Sequence, residues 1–378
     1  MQIVIAVSND ISTDQRVIRT ARTLYNLHAQ ITIIGRSRGE RSILTDPWFN
    51  PVRMKLLFNS GPLFYAEFNL RLLIRLMFLK ADLLVSNDLD TLPAVFLASK
   101  LRKITLVYDS HEYFTEVPEL AYRRKVRKVW EWIESRILPK IRYASTVSFS
   151  IARAYYVKYG INMKVIRNLP FRKGSSLPPA QNLRQGSEKI ILYQGSLNMG
   201  RGLELAIESI QFIRDAKLCI IGKGDIENKL KHLSVQLGLE DRIVFPGRIS
   251  PEELPEYTAQ ADLGISLEED LGLSYRYSLP NKVFDYIQAG VPVLVSDLPE
   301  VRALVEKYNV GMISKTRNAG ELAALITGML ENEEQRLKWK AGLEIAAEEL
   351  CWEKEEQKLI ALYQGAMGIQ VSISDPVS

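Results

Sequence analysis

The chain has 378 residues, 47% of them hydrophobic and 25% charged, with a formal net charge of +5. That length suits two cores rather than one, and the mixed composition excludes a collagenous, disordered or low-complexity polymer. The charge is unevenly divided: 26 Lys and Arg stand against 14 Asp and Glu up to residue 170, and 23 against 30 beyond it, so a basic half suited to a polyanion or an anionic membrane surface precedes an acidic one.

The opening run MQIVIAV has no basic segment before it and suits a first buried strand better than a secretory signal, which predicts a cytoplasmic protein. No uncharged run reaches membrane-spanning length. QRVIRTARTLYNL then reads as a helix, QITIIG as a strand, FNLRLLIRLMFLK as a helix, DLLVSND as a strand, LPAVFLASKL as a helix and TLVYDSH as a strand. This alternation predicts a parallel sheet with helices on both faces. In the first loop Asp14 and Arg16 either face a ligand or serve as a helix cap and a surface arginine. His111 stands just beyond a strand in VYDSHEYFTEVPEL, whereas His28 and His232 read as surface residues. A histidine at that place is either a structural hydrogen-bonder or a donor toward developing charge.

Residues 122–142, YRRKVRKVWEWIESRILPKIR, place Val126, Val129, Ile133 and Ile137 on one helical face, with Arg123, Arg124, Arg127 and Lys128 around the other side and Trp130 and Trp132 nearby. The pattern fits contact with anionic lipid and equally a helix packed on its own domain with a solvated basic face. No nucleic-acid-binding module accompanies the charge. A first domain over 1–170 is followed by a linker over 171–189, whose Pro, Gly, Ser and charge lack periodicity.

The alternation restarts over 190–350 with KIILYQG, LELAIESIQFI, AKLCIIG, NKLKHLSVQLG, RIVFPG, DLGISL, a helix from Lys282 to Ala289, VPVLVSD and GMIS. The expected fold is α/β, with two doubly wound Rossmann-like domains facing across a cleft and ligands at the strands' carboxyl ends. A helix over 351–368 is placed to cross back to the first domain, and the tail 369–378 is expected to fray. Cys219 and Cys351, the only cysteines, suggest neither a disulfide framework nor a thiolate metal site and read as core thiols.

Three stretches of the second half carry candidate chemistry. YQGSLNMGRGLELAIES ends a strand in a loop holding Gly195, Ser196 and Arg201 before a helix, which suits a phosphate or, equally, a turn with a solvated arginine. IIGKGDIENKL repeats the form with Gly222, Lys223 and Gly224, where glycine permits close backbone approach to a ligand. Neither stretch fits the dinucleotide fingerprint, and no GxxxxGK[ST] exists, which disfavours a nicotinamide dehydrogenase or a P-loop phosphotransferase. In SLPNKVFDYIQAGVPVLVSD, Lys282 follows Asn281 in a first helical turn, where a positive charge opposes the helix dipole unless an anion compensates it. Asp285, one turn on, is suited to accept hydrogen bonds from vicinal hydroxyls. The alternative is a surface lysine beside a carboxylate that merely suits the dipole.

From ILYQGSLNMGRGLE through IIGKGD, RIVFPGRISPEELPEYTAQADLGISL and PNKVFDYIQAGVPVLVSD, the second half resembles the retaining nucleotide-sugar glycosyltransferases of family 4, which have the type B fold. The resemblance implies that Arg201, before Gly202, grips the donor diphosphate and acts in catalysis with His111; the family's usual second cation just after the strand's glycine is absent, since Ser196 follows Gly195, and Lys282 is the candidate to replace it in both roles. Gly195, Ser196, Gly222, Lys223, Gly224 and Asn281 would complete the donor site, with Arg248 and Ile249 near the nucleobase. Asp285 takes the second of the family's two glutamate positions and so the ribose hydroxyls. Tyr277 occupies the first position and is not a carboxylate, leaving Glu268, Glu269 or Asp270 as candidates for the sugar. Asn87, Asp88 and Glu112, with Asp14 and Arg16, fall on the acceptor side. Asp88-Leu89-Asp90 matches the metal triplet of single-domain glycosyltransferases, but it lies away from the donor loops, so no metal and no cofactor is expected. The implied activity moves a hexose from a UDP- or GDP-sugar to a glycan or lipid-linked acceptor in cell-envelope polysaccharide assembly, at the inner face of a membrane. The same architecture also serves a nucleotide-sugar 2-epimerase or a non-catalytic nucleotide-sugar-binding protein.

Overall fold

A computed structural model describes residues 1–11, 14–36, 47–121, 123–172, 182–183 and 186–369. Most of the expected linker, 173–181 and 184–185, and the tail 370–378 lie outside the described residues. The chain forms two compact units: Met1–Asn168 together with the chain from Glu355 onward, and Leu169–Lys354.

The first unit is built on seven strands: β1 (Gln2–Asp10), β2 (Gln30–Arg36), β3 (Asn50–Met54), β4 (Leu83–Asn87), β5 (Thr105–Ser110), β6 (Tyr143–Thr146) and β7 (Lys164–Val165). They lie in the order β3-β2-β1-β4-β5-β6-β7, parallel throughout. Ile3 through Val7 are all buried, as a strand covered on both faces requires. Three strands carry too weak a signal to be predicted. β3 is a half-buried edge with Pro51 in it, a place where a missing N–H costs little; β6 has four residues and β7 two.

The basic segment forms a helix over Arg124–Ile137 followed by a 3₁₀ turn over Leu138–Lys140, which contains Pro139. Tyr122 lies outside the described residues. The seam differs from the expected one: Trp130 and Glu134, one turn apart, are its buried residues, while Val129 is exposed. Trp130 packs edge-on against Tyr65 and Phe114. Glu134 accepts from Tyr159 at 2.7 Å and from Thr115 and Tyr155 at 3.2 Å. A polar anchor of this kind is invisible to a hydrophobic-period reading.

The second unit carries β8 (Lys189–Gln194), β9 (Ala216–Ile221), β10 (Ile243–Gly247), β11 (Leu263–Ser266), β12 (Val293–Ser296) and β13 (Gly311–Ser314). Their order, β10-β9-β8-β11-β12-β13, is parallel throughout. The order reverses between β8 and β11, the kind of switch point at whose carboxyl edge open α/β sheets bind ligands. The helix Asn281–Gln288 lies over this point: Tyr286 Oη donates to Leu192 O and accepts from Gln194 N, and a Cβ on Gly264 of β11 would meet the Tyr286 ring at 2.4 Å. That packing sets where the same helix presents Lys282 and Asp285. Both cysteines are buried and free.

Candidate functional site

In the second unit β8, β9 and β10 end on glycine-bearing loops stitched backbone to backbone. Gly195 N donates to Ile221 O at 3.0 Å, Gly222 N to Gly247 O at 2.8 Å and Leu197 N to Lys223 O at 3.0 Å. A Cβ on Gly222 would lie 1.8 Å from Gly195 O, and one on Gly224 would lie 2.3 Å from Leu197 O. These glycines permit close approach to the neighbouring loop. Gly195, Ser196, Lys223 and Arg248 are exposed along this edge, with Ile249 half-buried.

The β8 loop is pressed on the segment after β11. Glu269 N donates to Gly200 O at 2.8 Å, and a Cβ on Gly202 would meet Leu267 O at 2.2 Å. Arg201 is thereby held beside Glu268, its Nη1 3.5 Å from Glu268 Oε1. Lys282 Nζ donates to the same oxygen at 2.7 Å, and Ser266 Oγ donates to Oε2 at 2.7 Å. Lys282 Nζ also lies 4.1 Å from the centre of the Tyr193 ring, and the Arg201 guanidinium 4.9 Å from that of Tyr275. Glu268 is fully buried. Burial by itself pushes its pKa up, but the charges of Lys282 and Arg201 and the bonds from Lys282 and Ser266 outweigh it and hold the carboxyl at about 2.

The anion that compensates Lys282 in this structure is thus a residue of the fold, where the sequence called for a phosphate. Two cations around one carboxylate still leave a positive charge in excess. Arg201 Nε is buried and finds no acceptor among the described residues, the kind of donor a bound anion satisfies. Arg317, absent from the sequence reading, donates to Leu267 O at 2.9 Å and Glu268 O at 2.7 Å and fixes this segment. No local motif marks it, because its partners are backbone carbonyls far along the chain.

One turn after Lys282, Asp285 is half-buried and its Oδ2 accepts from Gln194 Nε2 at 2.9 Å, while Gln194 Oε1 accepts from Thr258 Oγ1 at 2.8 Å. Asn281 is exposed at the start of the helix. Tyr277 is half-buried at the end of the Leu273–Arg276 turn of helix. Of the carboxylates weighed in its place, Glu268 is committed to Lys282, and Asp270 pairs with Arg276 at the surface.

In the first unit a second cluster forms at the carboxyl ends of β4 and β5. His111 Nδ1 lies 3.5 Å from Asp88 Oδ2, and His111 Nε2 lies 3.3 Å from Asp109 Oδ2 without hydrogen-bond geometry. Its backbone N donates to Asp88 Oδ1 at 2.7 Å. Burial works against the imidazolium, yet Asp88 and Asp109 prevail and raise its pKa to about 9. Arg16 is buried and donates to Asp109 at 2.9 and 2.5 Å and to Ile166 O at 3.0 Å. Asn87 is buried with its amide on Ala6 O at 3.1 Å, and Asp14 caps its helix at Val17 N. Arg16 and Asn87, expected on an acceptor-facing surface, therefore have partners inside the unit, and the surface-arginine alternative fails as well. Glu112 is exposed beside His111.

The two aspartates of the Asp-x-Asp triplet diverge, since residues two apart on a helix do not face each other. Asp88 turns to His111 and Asp90 to Ser8. Burial and the charge of Asp88 raise the Asp90 pKa to about 7. Among the described residues no group of three or more His, Cys, Asp and Glu is placed to hold a metal ion.

A family model described as Glycosyl transferases group 1 matches residues 178–343. The chain is 25% identical over 255 residues to the chitobiosyldiphosphodolichol beta-mannosyltransferase of Candida albicans, a stretch covering 60% of this chain and 54% of that protein. Matched stretches span 40% to 61% of the first curated relatives' own length. Among solved structures, the sucrose-phosphate synthase of Thermosynechococcus elongatus matches with a TM-score of 0.79 at 18% identity, over 98% of this chain and 100% of that one. The Anabaena protein HepE, in complex with UDP-glucose, matches with a TM-score of 0.75 at 18% identity, over 96% and 100%. The chain has the type B glycosyltransferase fold, with a Rossmann-like sheet in each unit.

Proposed function

We propose that the protein is a retaining glycosyltransferase that moves a hexose from a nucleoside diphosphate sugar to an acceptor hydroxyl of a glycan or lipid-linked glycan. The observation that carries this reading is the convergence of Lys282 and Arg201 on buried Glu268 at the carboxyl edge of the second sheet. Glu268 keeps both cations oriented, and the excess positive charge with the unused Arg201 Nε suits a diphosphate. As the sugar departs, charge grows on that diphosphate, and cations already in place stabilise it without rearrangement. Asp285 takes the ribose hydroxyls, and the exposed loop residues Ser196, Lys223 and Arg248 complete the donor site. The family resemblance assigns a catalytic part to His111 of the first unit, whose positive charge is sustained by Asp88 and Asp109. Retention follows the family that the motifs resemble.

Calorimetric titration with UDP, GDP and their sugars tests the reading. One nucleotide should bind selectively, and Arg201→Ala or Lys282→Ala should weaken it by about thirtyfold or more, the effect of truncating one partner of a desolvated charge pair. Undiminished binding in both variants would remove the diphosphate site. Because the cations do the work assigned elsewhere to a divalent metal, turnover should be the same with and without EDTA.

A further inference from the structure

The helix Gly61–Phe78 is apolar on two sides. Phe64, Phe68, Leu72 and Leu76, spaced by one turn, are buried. Leu63, Leu70, Ile74 and Phe78 face outward and are exposed, Phe78 by 85%. A helix apolar all round belongs in a core or against a second apolar medium, yet it has 18 residues and carries Glu67, Arg71 and Arg75. No described helix is long and apolar enough to cross a membrane. Glu67 is the helix's one acid, and it is occupied by Arg71 at 2.8 Å and by the Leu57 and Phe58 amides.

The helix Asp88–Arg102 packs beside it: Asn69 Nδ2 donates to Asp90 O at 2.8 Å and Arg102 Nη1 to Leu79 O at 2.6 Å. This second helix exposes Leu97 and Leu101, one turn apart. About 100° around it, Phe96 and Lys100 line a cavity of 460 Å³ whose walls also hold Lys140, Arg142 and Tyr143 and no acidic residue. Lys100 and Lys140 lie 5.5 and 6.0 Å from the centre of the Phe96 ring.

We propose that this outer face docks the first unit on an anionic lipid bilayer. The stripe Leu63, Leu70, Ile74 and Phe78 enters the headgroup boundary, and Arg75, Lys80, Lys100, Lys140 and Arg142 meet lipid phosphoryl groups. Charge complementarity selects this occupant: the cavity is acid-free, and exposed Arg75, Lys80 and Lys103 collar the ends of both helices beside Phe78 and Leu101. In the helix Arg124–Ile137, by comparison, Arg127 is bound to Glu116 and Glu131 and Trp130 is buried, while Val129 and Trp132 are exposed.

Co-sedimentation with vesicles of phosphatidylcholine, pure or with about one third phosphatidylglycerol, tests the proposal. The full chain should bind only the anionic vesicles, with affinity falling as salt rises. Lys100→Gln and Lys140→Gln should each weaken binding roughly fivefold, and Ile74→Glu with Phe78→Glu should abolish it while leaving the melting temperature and nucleotide binding unchanged. Three results would overturn it: equal binding to both vesicles; binding lost in Arg124→Glu with Lys128→Glu but kept in Ile74→Glu with Phe78→Glu; or a solution dimer that Phe78→Glu dissociates, which would make a second copy the occupant.

Discussion

A buried glutamate shared by two cations is favourable only while all three groups stay charged. Glu268 has its pKa lowered from 4.5 to about 2, so its contribution to stability is complete above the ordinary carboxylate range and is lost as pH falls toward 2. Glu268→Gln keeps the shape and removes the charge, leaving Lys282 buried against a neutral amide; the expected cost is about 3 kcal/mol. A nucleoside diphosphate would restore the missing anion, so its addition should raise the melting temperature more in the variant than in the wild type. A smaller rise in the variant would mean that the cations serve Glu268 alone. His111 behaves with the opposite sign. With a pKa raised to about 9, it stabilises fully below its ordinary value near 6.5 and loses that contribution as pH rises through 9. Proton NMR of the His111 ring should show a midpoint near 9, lowered in Asp88→Asn; asparagine tolerates the positive φ of 57° at that position. A wild-type midpoint near 6.5 would refute the two-carboxylate clamp.

At the scale of elements, the donor edge is shaped by loops packed on loops. Gly222 has φ of 144° and no room for a Cβ against Gly195 O, so Gly222→Ala should destabilise the second unit by about 3 kcal/mol and disturb nucleotide binding. Gly238 has φ of 65° with nothing within 4 Å of a Cβ, so Gly238→Ala should cost only about 1 kcal/mol and leave binding intact. Denaturant melts of the two variants make the comparison, and equal losses would show that conformation alone, without the loop contact, sets the requirement. The glycines stood out in the sequence, but their neighbour did not: a 27-residue separation between Gly195 and Gly222 carries no local signal.

For the whole molecule, the chain from Glu355 onward belongs to the first unit although it follows the second. Glu355 accepts from Arg167 N at 2.8 Å and Arg167 Nη2 at 3.0 Å, and Leu359, Leu362, Tyr363 and Ala366 are buried. Deleting residues 355–378 should remove on the order of 5 kcal/mol of apolar burial from the first unit. Hydrogen exchange should then accelerate in β1, β4 and β5 while β8, β9 and β11 keep their protection; equal acceleration in both sheets would refute this division.

Periodicity and turn residues by themselves determined two parallel α/β sheets and all six strands of the second one, and marked the loop of Arg201 and the helix of Lys282 and Asp285 at that sheet's carboxyl edge, because burial on both faces of a parallel strand and glycine at its end are local, repeating requirements. Only the tertiary structure decided which charges meet. Glu268 reaches Lys282 across 14 residues and Asp109 reaches Arg16 across 93, and nothing in a local window records the partner of a buried ion. Charge compensation in a low-dielectric interior is a property of neighbours in space, so the roles of Glu268, Arg317 and Arg16 came from the packing of the sheets and their loops.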